Sequence, residues 1–349
     1  MPPARRGIKN EQPGIGPPAR QEIEQLQQHR KIMPDQPTPF TAISLLLTVA
    51  DDGRPLGQIA AERLGDVGRQ AADRGGLWLR RRRVTPSTPA LAGETLLVRL
   101  PPAGGYCDAP LTFDHIVYED DDLLVINKPP ACYVGDTPWD TQGSVLAVMA
   151  RLLAARDSQP PTLHLAHQLD FGTSGILVFS KHPRANAPLQ AAFNDGRVHK
   201  RYEAVCTGYM PSEVELVTGH GRAASGRWRL YDRAEVGRAL PDGQRVKLAH
   251  TRFILRRQYK QAALVSAIPL TGRTHQIRLH LAALGCPILG DQRYGGPVSM
   301  GELSLAHPLL HAAELVLPHP RDGRWLHIFC PPPPVFLRVI ERLSSAEMS

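Results

Sequence analysis

The sequence predicts an α+β fold with one large sheet, preceded by a smaller α+β unit. From Tyr106 onward, short apolar stretches typical of strands alternate with amphipathic stretches typical of helices, without the strict order of a parallel fold. Between residues 40 and 105, two helical stretches come first and two short strand-like stretches follow. The 349 residues suffice for a medium domain plus a small one, and the 42% hydrophobic content allows a sizeable core.

Residues 1–39 are expected to form a flexible leader. Only Ile23 and Leu26 could anchor a short helix there, and two apolar side chains cannot hold a helix on a core. Prolines interrupt any regular element in this segment, at Pro2, Pro3, Pro13, Pro17, Pro18, Pro34, Pro37 and Pro39.

The small unit is predicted to span residues 40–105. Apolar residues at helical spacing predict a helix from Pro55 to Leu64, and a second helix over Val67 to Arg74 is ended by Gly75 and Gly76. Strand-like stretches follow from Leu77 to Val84 and from Glu94 to Leu100.

A run of four arginines lies in the first of those strand-like stretches. The order of elements, and the closing Ala92-Gly93-Glu94 before an apolar stretch, resemble the S-four-type RNA-binding module of ribosomal proteins. The alternative is an ordinary small α+β appendage with a solvated arginine cluster. The resemblance implies that the run binds RNA through Arg80, Arg81, Arg82 and Arg83.

The larger part begins with a predicted hairpin, in which two apolar strands flank the acidic turn Asp120-Asp121-Asp122. Further helices are predicted over Gly143–Arg156, Arg184–Asp195 and Thr274–Leu284, and further strands over Ile176–Phe179 and Tyr202–Val205.

Composition narrows the functional classes. Lys and Arg outnumber Asp and Glu by 41 to 33, which suits a polyanionic partner. The five cysteines form no C-x-x-C pair, so we expect buried, reduced thiols instead of a disulfide framework or a thiolate zinc site. No apolar stretch approaches the length of a membrane span. We therefore predict a cytoplasmic location.

One candidate for chemistry lies between His164 and Lys181. Asp170 stands between an apolar approach and the small-residue turn Gly172-Thr173-Ser174-Gly175, which leads into a buried strand. Such a turn can hold an acidic side chain at the rim of a cleft, with hydroxyls and amides nearby to orient it. The alternative is an aspartate that merely caps the turn.

A second candidate is the basic segment from Thr271 to His280. It places Arg273, His275, Arg278 and His280 at a turn and on the start of a helix. These side chains could bind phosphates, pair with a carboxylate or lie in water. Because Arg278 adjoins the apolar face at Ile277 and the helix N-terminus adds positive potential, plain solvation is disfavoured.

The two segments in this order resemble the RluA-like family of RNA pseudouridine synthases. The motifs are H-x-L-D-x-x-T-S-G, then K-R-Y-x-A, then L-T-G-R-T-H-Q-I-R-x-H with a later L-G-x-P-I-L-G-D-x-x-Y-G. The resemblance covers about residues 110–335 and implies a catalytic domain over residues 106–345 with a large mixed, mostly antiparallel sheet and flanking helices. It also implies isomerisation of uridine to pseudouridine in structured RNA, ribosomal or transfer, by a monomer without cofactor or metal.

The resemblance also implies roles for single residues. Asp170 is the catalytic nucleophile or base, and Tyr202 lies against the uracil ring and is a candidate for proton transfer. Arg278 pairs with Asp170 and favours its ionised form. Ile277 packs beside the base. The remaining predicted substrate contacts are Gln168, Thr173, Ser174, Arg273 and His275.

Gln168 departs from the family pattern, which usually has an arginine there to fill the space that the flipped base leaves. An amide is shorter and uncharged. Base flipping is therefore expected to depend more on other residues, or the RNA target is already unstacked.

Two other functions compete with this prediction. His164, His167 and Asp170 have the spacing of a metal-ligand set on a helix, but in a strand the two histidines point to opposite faces. A non-catalytic RNA-binding protein would need only the arginine run and the basic helix. The complete set of Asp170, Tyr202 and Arg278 argues against it.

Overall fold

The computed structural model describes residues 41–102, 105–223 and 227–346. The predicted leader, residues 1–39, lies outside the described residues. No helix in the described part of the chain combines the length and the apolar character needed to span a bilayer.

The N-terminal unit is a four-stranded antiparallel sheet covered by two helices. Both predicted helices are confirmed, and Gly75 ends the second with a φ of 83°. The sheet order is β1-β4-β2-β3. Its elements are β1 (Thr41–Leu46), α1 (Leu56–Leu64), α2 (Asp66–Arg74), β2 (Leu77–Leu79), β3 (Arg82–Arg83) and β4 (Thr95–Leu100).

The predicted strand from Leu77 to Val84 is in fact a tight hairpin. Arg80 and Arg81 take φ values of 48° and 65° and form the turn between β2 and β3. Residues other than glycine rarely adopt such backbone angles. The periodicity of apolar residues therefore could not predict that the strand is interrupted here. The arginine run is therefore divided between a turn and a strand.

The larger part is built on an eleven-stranded sheet. Its strands are β5 (Ile116–Glu119), β6 (Leu123–Lys128), β7 (His164–Leu165), β8 (Ser174–Ser180), β9 (His199–Thr207), β10 (Glu213–Arg222), β11 (Trp228–Tyr231), β12 (Lys247–Gln258), β13 (Ala262–Pro269), β16 (Leu310–Pro318) and β17 (Trp325–Phe329). A separate two-stranded ribbon consists of β14 (Ser299–Met300) and β15 (Leu303–Ser304).

Strand pairing confirms a mixed, mostly antiparallel sheet. The main order is β11-β10-β12-β13-β9-β16-β8-β6-β5, with β17 on β16 and β7 on β8. The β16–β8 pair is parallel and the other described pairs are antiparallel. The predicted hairpin around the acidic turn is β5–β6.

The α-helices of this part, as far as its residues are described, are α3 (Val145–Arg156), α4 (Pro183–Asn194), α5 (Gln276–Ala283) and α6 (Pro334–Ser345). Helix α3 begins where the Ser144 side chain accepts a hydrogen bond from the amide of Ala147. Helix α5 begins two residues later than predicted, because His275 takes a φ of 59°, which no residue within a right-handed helix adopts.

Close packing at the centre of the sheet explains one glycine. A Cβ atom on Gly175, at the start of β8, would lie 2.3 Å from the carbonyl oxygen of Ala312 on β16. Only glycine lets the two parallel strands approach there. The prediction of buried thiols holds for four cysteines and is wrong for Cys107, which is exposed in a loop.

The N-terminal unit is fastened to a loop of the larger part. Arg74 forms ion pairs with Asp108 and Asp140, and the indole of Trp78 donates a 2.6 Å hydrogen bond to the carbonyl of Pro138. Arg83 donates to the carbonyl of Thr137. These contacts fix the direction in which the arginine run faces.

Candidate active site

Four adjacent strands bring the predicted catalytic residues together. Asp170 lies in the loop that enters β8, whose first residue pairs with His311 of β16. The next residue of β16, Ala312, pairs with Tyr202 of β9. Strand β13, on the other side of β9, leads through a short loop into α5, which carries Arg278. The topology therefore places all three at the middle of the sheet.

Asp170 is a largely buried carboxylate beside a guanidinium. Its side chain is 22% exposed, and its Oδ2 lies 3.6 Å from Nη1 of Arg278. Burial raises the pKa of Asp170 above its usual value, while the positive charges of Arg278 and Lys128 oppose that rise. The carboxylate is thus poorly hydrated when ionised, which makes it more reactive toward a bound group.

Arg278 itself is held mainly by Asp291. Its Nε and Nη2 atoms donate hydrogen bonds of 2.6 and 2.7 Å to the two carboxylate oxygens of Asp291, which is 1% exposed. This bidentate pair fixes the plane of the guanidinium and leaves Nη1 directed at Asp170. The direct Asp170–Arg278 pair implied by the family resemblance is therefore a longer contact to an arginine already bound elsewhere.

His275 closes another side of the site. Its Nε2 lies 3.8 Å from Oδ1 of Asp170, and its Nδ1 forms a 2.7 Å hydrogen bond with the hydroxyl of Tyr294. Burial lowers the pKa of His275 to about 2, helped by the charges of Arg278 and Arg293. The imidazole is therefore neutral, lines one side of the site and is able to form hydrogen bonds.

Gln276 holds the loop before α5 in place. Its Oε1 accepts hydrogen bonds from the Thr271 hydroxyl and the Arg273 amide, and its Nε2 donates to Thr251 and to the carbonyl of His250. All of its polar capacity is thus used within the protein, which supports the left-handed conformation at the preceding residue.

Tyr202 and Lys128 complete the surroundings of the carboxylate. Burial and the charge of Asp170 raise the pKa of Tyr202, so its phenol is protonated at neutral pH. Lys128 is completely buried, and its Nζ donates to the carbonyls of Pro129, Cys132 and Phe171. Desolvation lowers the pKa of this amine.

The other predicted contacts lie at different depths. Ile277 is buried, with a 6% exposed side chain, and Arg273 donates from Nε to the carbonyl of Leu248. Thr173 is buried and closes the turn through its amide, which donates to the carbonyl of Asp170. The Ser174 hydroxyl bonds to Nδ1 of His311 in the interior. Gln168 is exposed.

The arginine run lies on the N-terminal unit, away from these groups. Arg80 forms an ion pair with Glu94, and Arg83 packs over the ring of Trp78 at 5.2 Å and pairs with Asp136. Arg81 and Arg82 are exposed.

The structure does not assemble the metal-ligand set considered from the sequence. His164 is on β7, and His167 accepts a hydrogen bond from the amide of Val178. Within the described residues, the acidic and histidine side chains close enough to share an ion are Asp120, Asp122 and His319. Asp120 and Asp122 are occupied by hydrogen bonds and ion pairs with Tyr118, Arg184, Arg321 and Arg324, and His319 pairs with Asp120 and Asp322.

Sequence reasoning assigned no role to Asp291, Tyr294 or Lys128. Asp291 and Tyr294 stand in the motif L-G-x-P-I-L-G-D-x-x-Y-G. The motif does not show that Asp291 binds Arg278 or that Tyr294 binds His275. Lys128 is the last residue of β6, and the local sequence gives no sign that its amine is buried.

Comparison with known proteins adds an independent observation. The sequence profile described as RNA pseudouridylate synthase matches residues 122–283. RNA pseudouridine synthase 1 from Oryza sativa subsp. japonica is 33% identical over 281 residues, with 69% of this chain and 78% of the rice protein covered. Ribosomal large subunit pseudouridine synthase C from Vibrio parahaemolyticus is 35% identical over 219 residues, with 62% and 65% covered.

A solved structure is similar as well. The human protein described as RNA Pseudouridylate Synthase Domain Containing 4 matches with a TM-score of 0.56 and 26% identity, over 66% of this chain and 93% of the human chain.

Proposed function

Because the chain belongs to the RluA-like family of RNA pseudouridine synthases, we propose that it modifies a uridine of ribosomal RNA and that Asp170 is its catalytic carboxylate. The enzyme is an isomerase that converts uridine to pseudouridine in RNA. The choice of ribosomal RNA is supported by relatives named ribosomal large subunit pseudouridine synthase C, at 35% identity. The role of Asp170 is supported by its burial beside Arg278 and Tyr202.

The reaction breaks the N1–C1′ bond of uridine, turns the detached uracil and joins C5 to C1′, with loss of the C5 proton and gain of a proton at N1. No atom is oxidised and none is added, so the chain's own groups suffice for this balance. Asp170 is the nucleophile or base in this scheme. Because its carboxylate is poorly hydrated, it reaches the bound nucleoside without first losing a water shell.

Tyr202 and Arg278 have supporting roles in this proposal. The raised pKa of Tyr202 keeps its phenol protonated at neutral pH, so it packs against the uracil ring and donates a hydrogen bond instead of removing a proton. Arg278, fixed by Asp291, keeps Asp170 in one orientation and favours its ionised form.

Positive charge around the site supports an RNA substrate. Among the described residues, several cations on the strands and loops around His275 form no ion pair with a carboxylate, and we call four of them the catalytic-end cations: Arg222, Lys247, Arg273 and Arg293. Lys247 pairs with His220 in the β10–β12 register, and His220 bonds to the carbonyl of Thr274, the residue before His275. Unpaired cations of this kind attract phosphates.

Replacing the carboxylate tests the assignment. Asp170→Ala is expected to lose activity by about 10³-fold or more, because the carboxylate that serves as nucleophile or base is removed, while RNA binding persists. The measurement is tritium release from RNA labelled at uridine C5, with binding followed separately by filter retention. Undiminished pseudouridine formation by this variant would contradict the role of Asp170.

The choice of RNA is tested by mapping pseudouridines chemically in cells with and without the gene. We expect one or a few sites in ribosomal RNA to disappear and to return when the wild-type gene, but not Asp170→Ala, is restored. Loss confined to transfer RNA would contradict the proposed substrate and leave the role of Asp170 standing.

A further inference from the structure

The side chain that directly follows Asp170 is an exposed aromatic ring. Phe171 is 36% exposed, although burying a phenylalanine side chain typically stabilises a protein by about 1.5–3 kcal/mol. Gln168, exposed on the same segment, is a neutral amide without a flat apolar face. Phe171 is therefore the exposed apolar surface of this segment, one residue after the catalytic aspartate.

Backbone contacts hold the turn that carries this ring. Its carbonyl accepts a hydrogen bond from the buried Nζ of Lys128 at 3.4 Å, and the turn is closed by the Thr173 amide. The next residue is pressed against the chain, because a Cβ on Gly172 would lie 2.8 Å from Cδ of Pro308. These contacts fix the turn on both sides of the ring.

Neighbouring rings brace Phe171 without covering it. Its centroid lies 4.6 Å from that of Tyr133, with an interplanar angle of 46°. It lies 5.7 Å from the ring of His307, which meets it edge-on at 77°. Tyr133 and His307 are half-buried. A flat, apolar and rigidly held surface remains open to a planar partner.

A nucleobase is the partner that this surface fits. When a uridine leaves the base stack, its neighbour in the strand loses a stacking partner, and the extrusion costs a few kcal/mol. Base–aromatic stacking contributes about 1–3 kcal/mol per base and tolerates any base identity. An aromatic ring next to the catalytic carboxylate can therefore replace the lost contact.

We propose that Phe171 stacks on the nucleobase adjoining the target uridine and so stabilises the extruded state of the RNA. This inference rests on the proposed function, because it needs an extruded uridine at Asp170. Phe171 is a binding residue in this scheme and does not take part in bond breaking.

The test uses the full-length enzyme and a short RNA that spans the uridine mapped in cells. Single-turnover pseudouridine formation is measured against enzyme concentration for the wild type, Phe171→Ala, Phe171→Leu and Phe171→Trp. We expect the half-saturating concentration to rise about 5- to 150-fold for Ala, the equivalent of losing one stacked base. Leu, which keeps apolar volume but no ring, should behave similarly, and Trp should stay near the wild type.

A matched control is available on the outer strand. Phe329 is also exposed, and its ring packs against that of His327, with a centroid distance of 4.2 Å and an interplanar angle of 44°. Phe329→Ala is expected to leave the half-saturating concentration unchanged. Thermal unfolding of each variant separates loss of stacking from loss of the fold.

A second RNA, abasic at either neighbour of the uridine, identifies the stacked base. At one of the two positions the abasic RNA should bind the wild type as weakly as the normal RNA binds Phe171→Ala, and the two changes should not add. An unchanged half-saturating concentration for both Ala and Leu, or fully additive effects at both positions, would overturn the proposal. Either result is distinct from a failure of the proposed function, which the Asp170→Ala variant reports.

Discussion

The arginine run of the N-terminal unit and the catalytic-end cations differ in what surrounds them. In the run, Glu94 pairs with Arg80 and Asp136 pairs with Arg83, so two of its four charges are already compensated. The catalytic-end cations come from four separate parts of the sequence and have no carboxylate partner among the described residues. A run of consecutive arginines in the sequence therefore overstates the uncompensated positive charge that a polyanion would contact. Cations that are far apart in the sequence can supply more uncompensated charge.

Arg278 is the extreme case of a compensated charge. Its guanidinium is buried and bound at two atoms by Asp291, so it contributes orientation inside the site instead of attraction at the surface. Carboxylates therefore compensate Arg278 most completely, the arginine run partly, and the catalytic-end cations least. Changing the charges of each set is therefore expected to have a different effect on stability and on RNA binding.

The largest effect is expected when the best-paired arginine loses its partner. Asp291→Ala leaves a buried guanidinium with only Asp170 nearby, and breaking such a pair typically costs about 3–5 kcal/mol. The free energy of unfolding, followed by tryptophan fluorescence in denaturant, measures this loss. Asp291→Asn, which keeps one acceptor, is the milder control. A decrease of less than about 1 kcal/mol in the free energy of unfolding of Asp291→Ala would contradict the view that Arg278 is the most completely paired cation.

A smaller effect, on RNA binding instead of folding, is expected at the catalytic-end cations. Replacing all four with Gln should weaken RNA binding and reduce the slope of log K against log salt by about 3, since each phosphate contact to a single strand contributes about 0.7. Stability should change little, because no ion pair is broken. The measurement is a series of binding isotherms at several salt concentrations.

The smallest effect is expected at the arginine run. Within the run, Arg81 and Arg82 are the exposed arginines that form no ion pair with a described residue, so Arg81→Gln with Arg82→Gln should lower the salt slope by at most about 1.4. The same isotherms serve for this double variant. A slope change equal to that of the four catalytic-end replacements would reverse the comparison and make the N-terminal unit the principal RNA-binding surface.

Much of the fold was predictable because its signals are local. Helices α1 and α2 follow from apolar spacing and the glycines that end them, and the β5–β6 hairpin follows from two apolar strands around an acidic turn. The break at Arg80 and Arg81 and the late start of α5 at Gln276 were not predictable. Both depend on left-handed backbone angles that long-range contacts impose on residues other than glycine.

The sequence by itself determined the family and the candidates Asp170, Tyr202 and Arg278, because a chemical motif records which residue types must meet. Only the tertiary structure decided their states. Asp291 holds Arg278, burial keeps Tyr202 protonated, and the rigid turn leaves the ring of Phe171 exposed. Charge pairing and desolvation depend on distances between residues far apart in the chain, and no local pattern contains those distances.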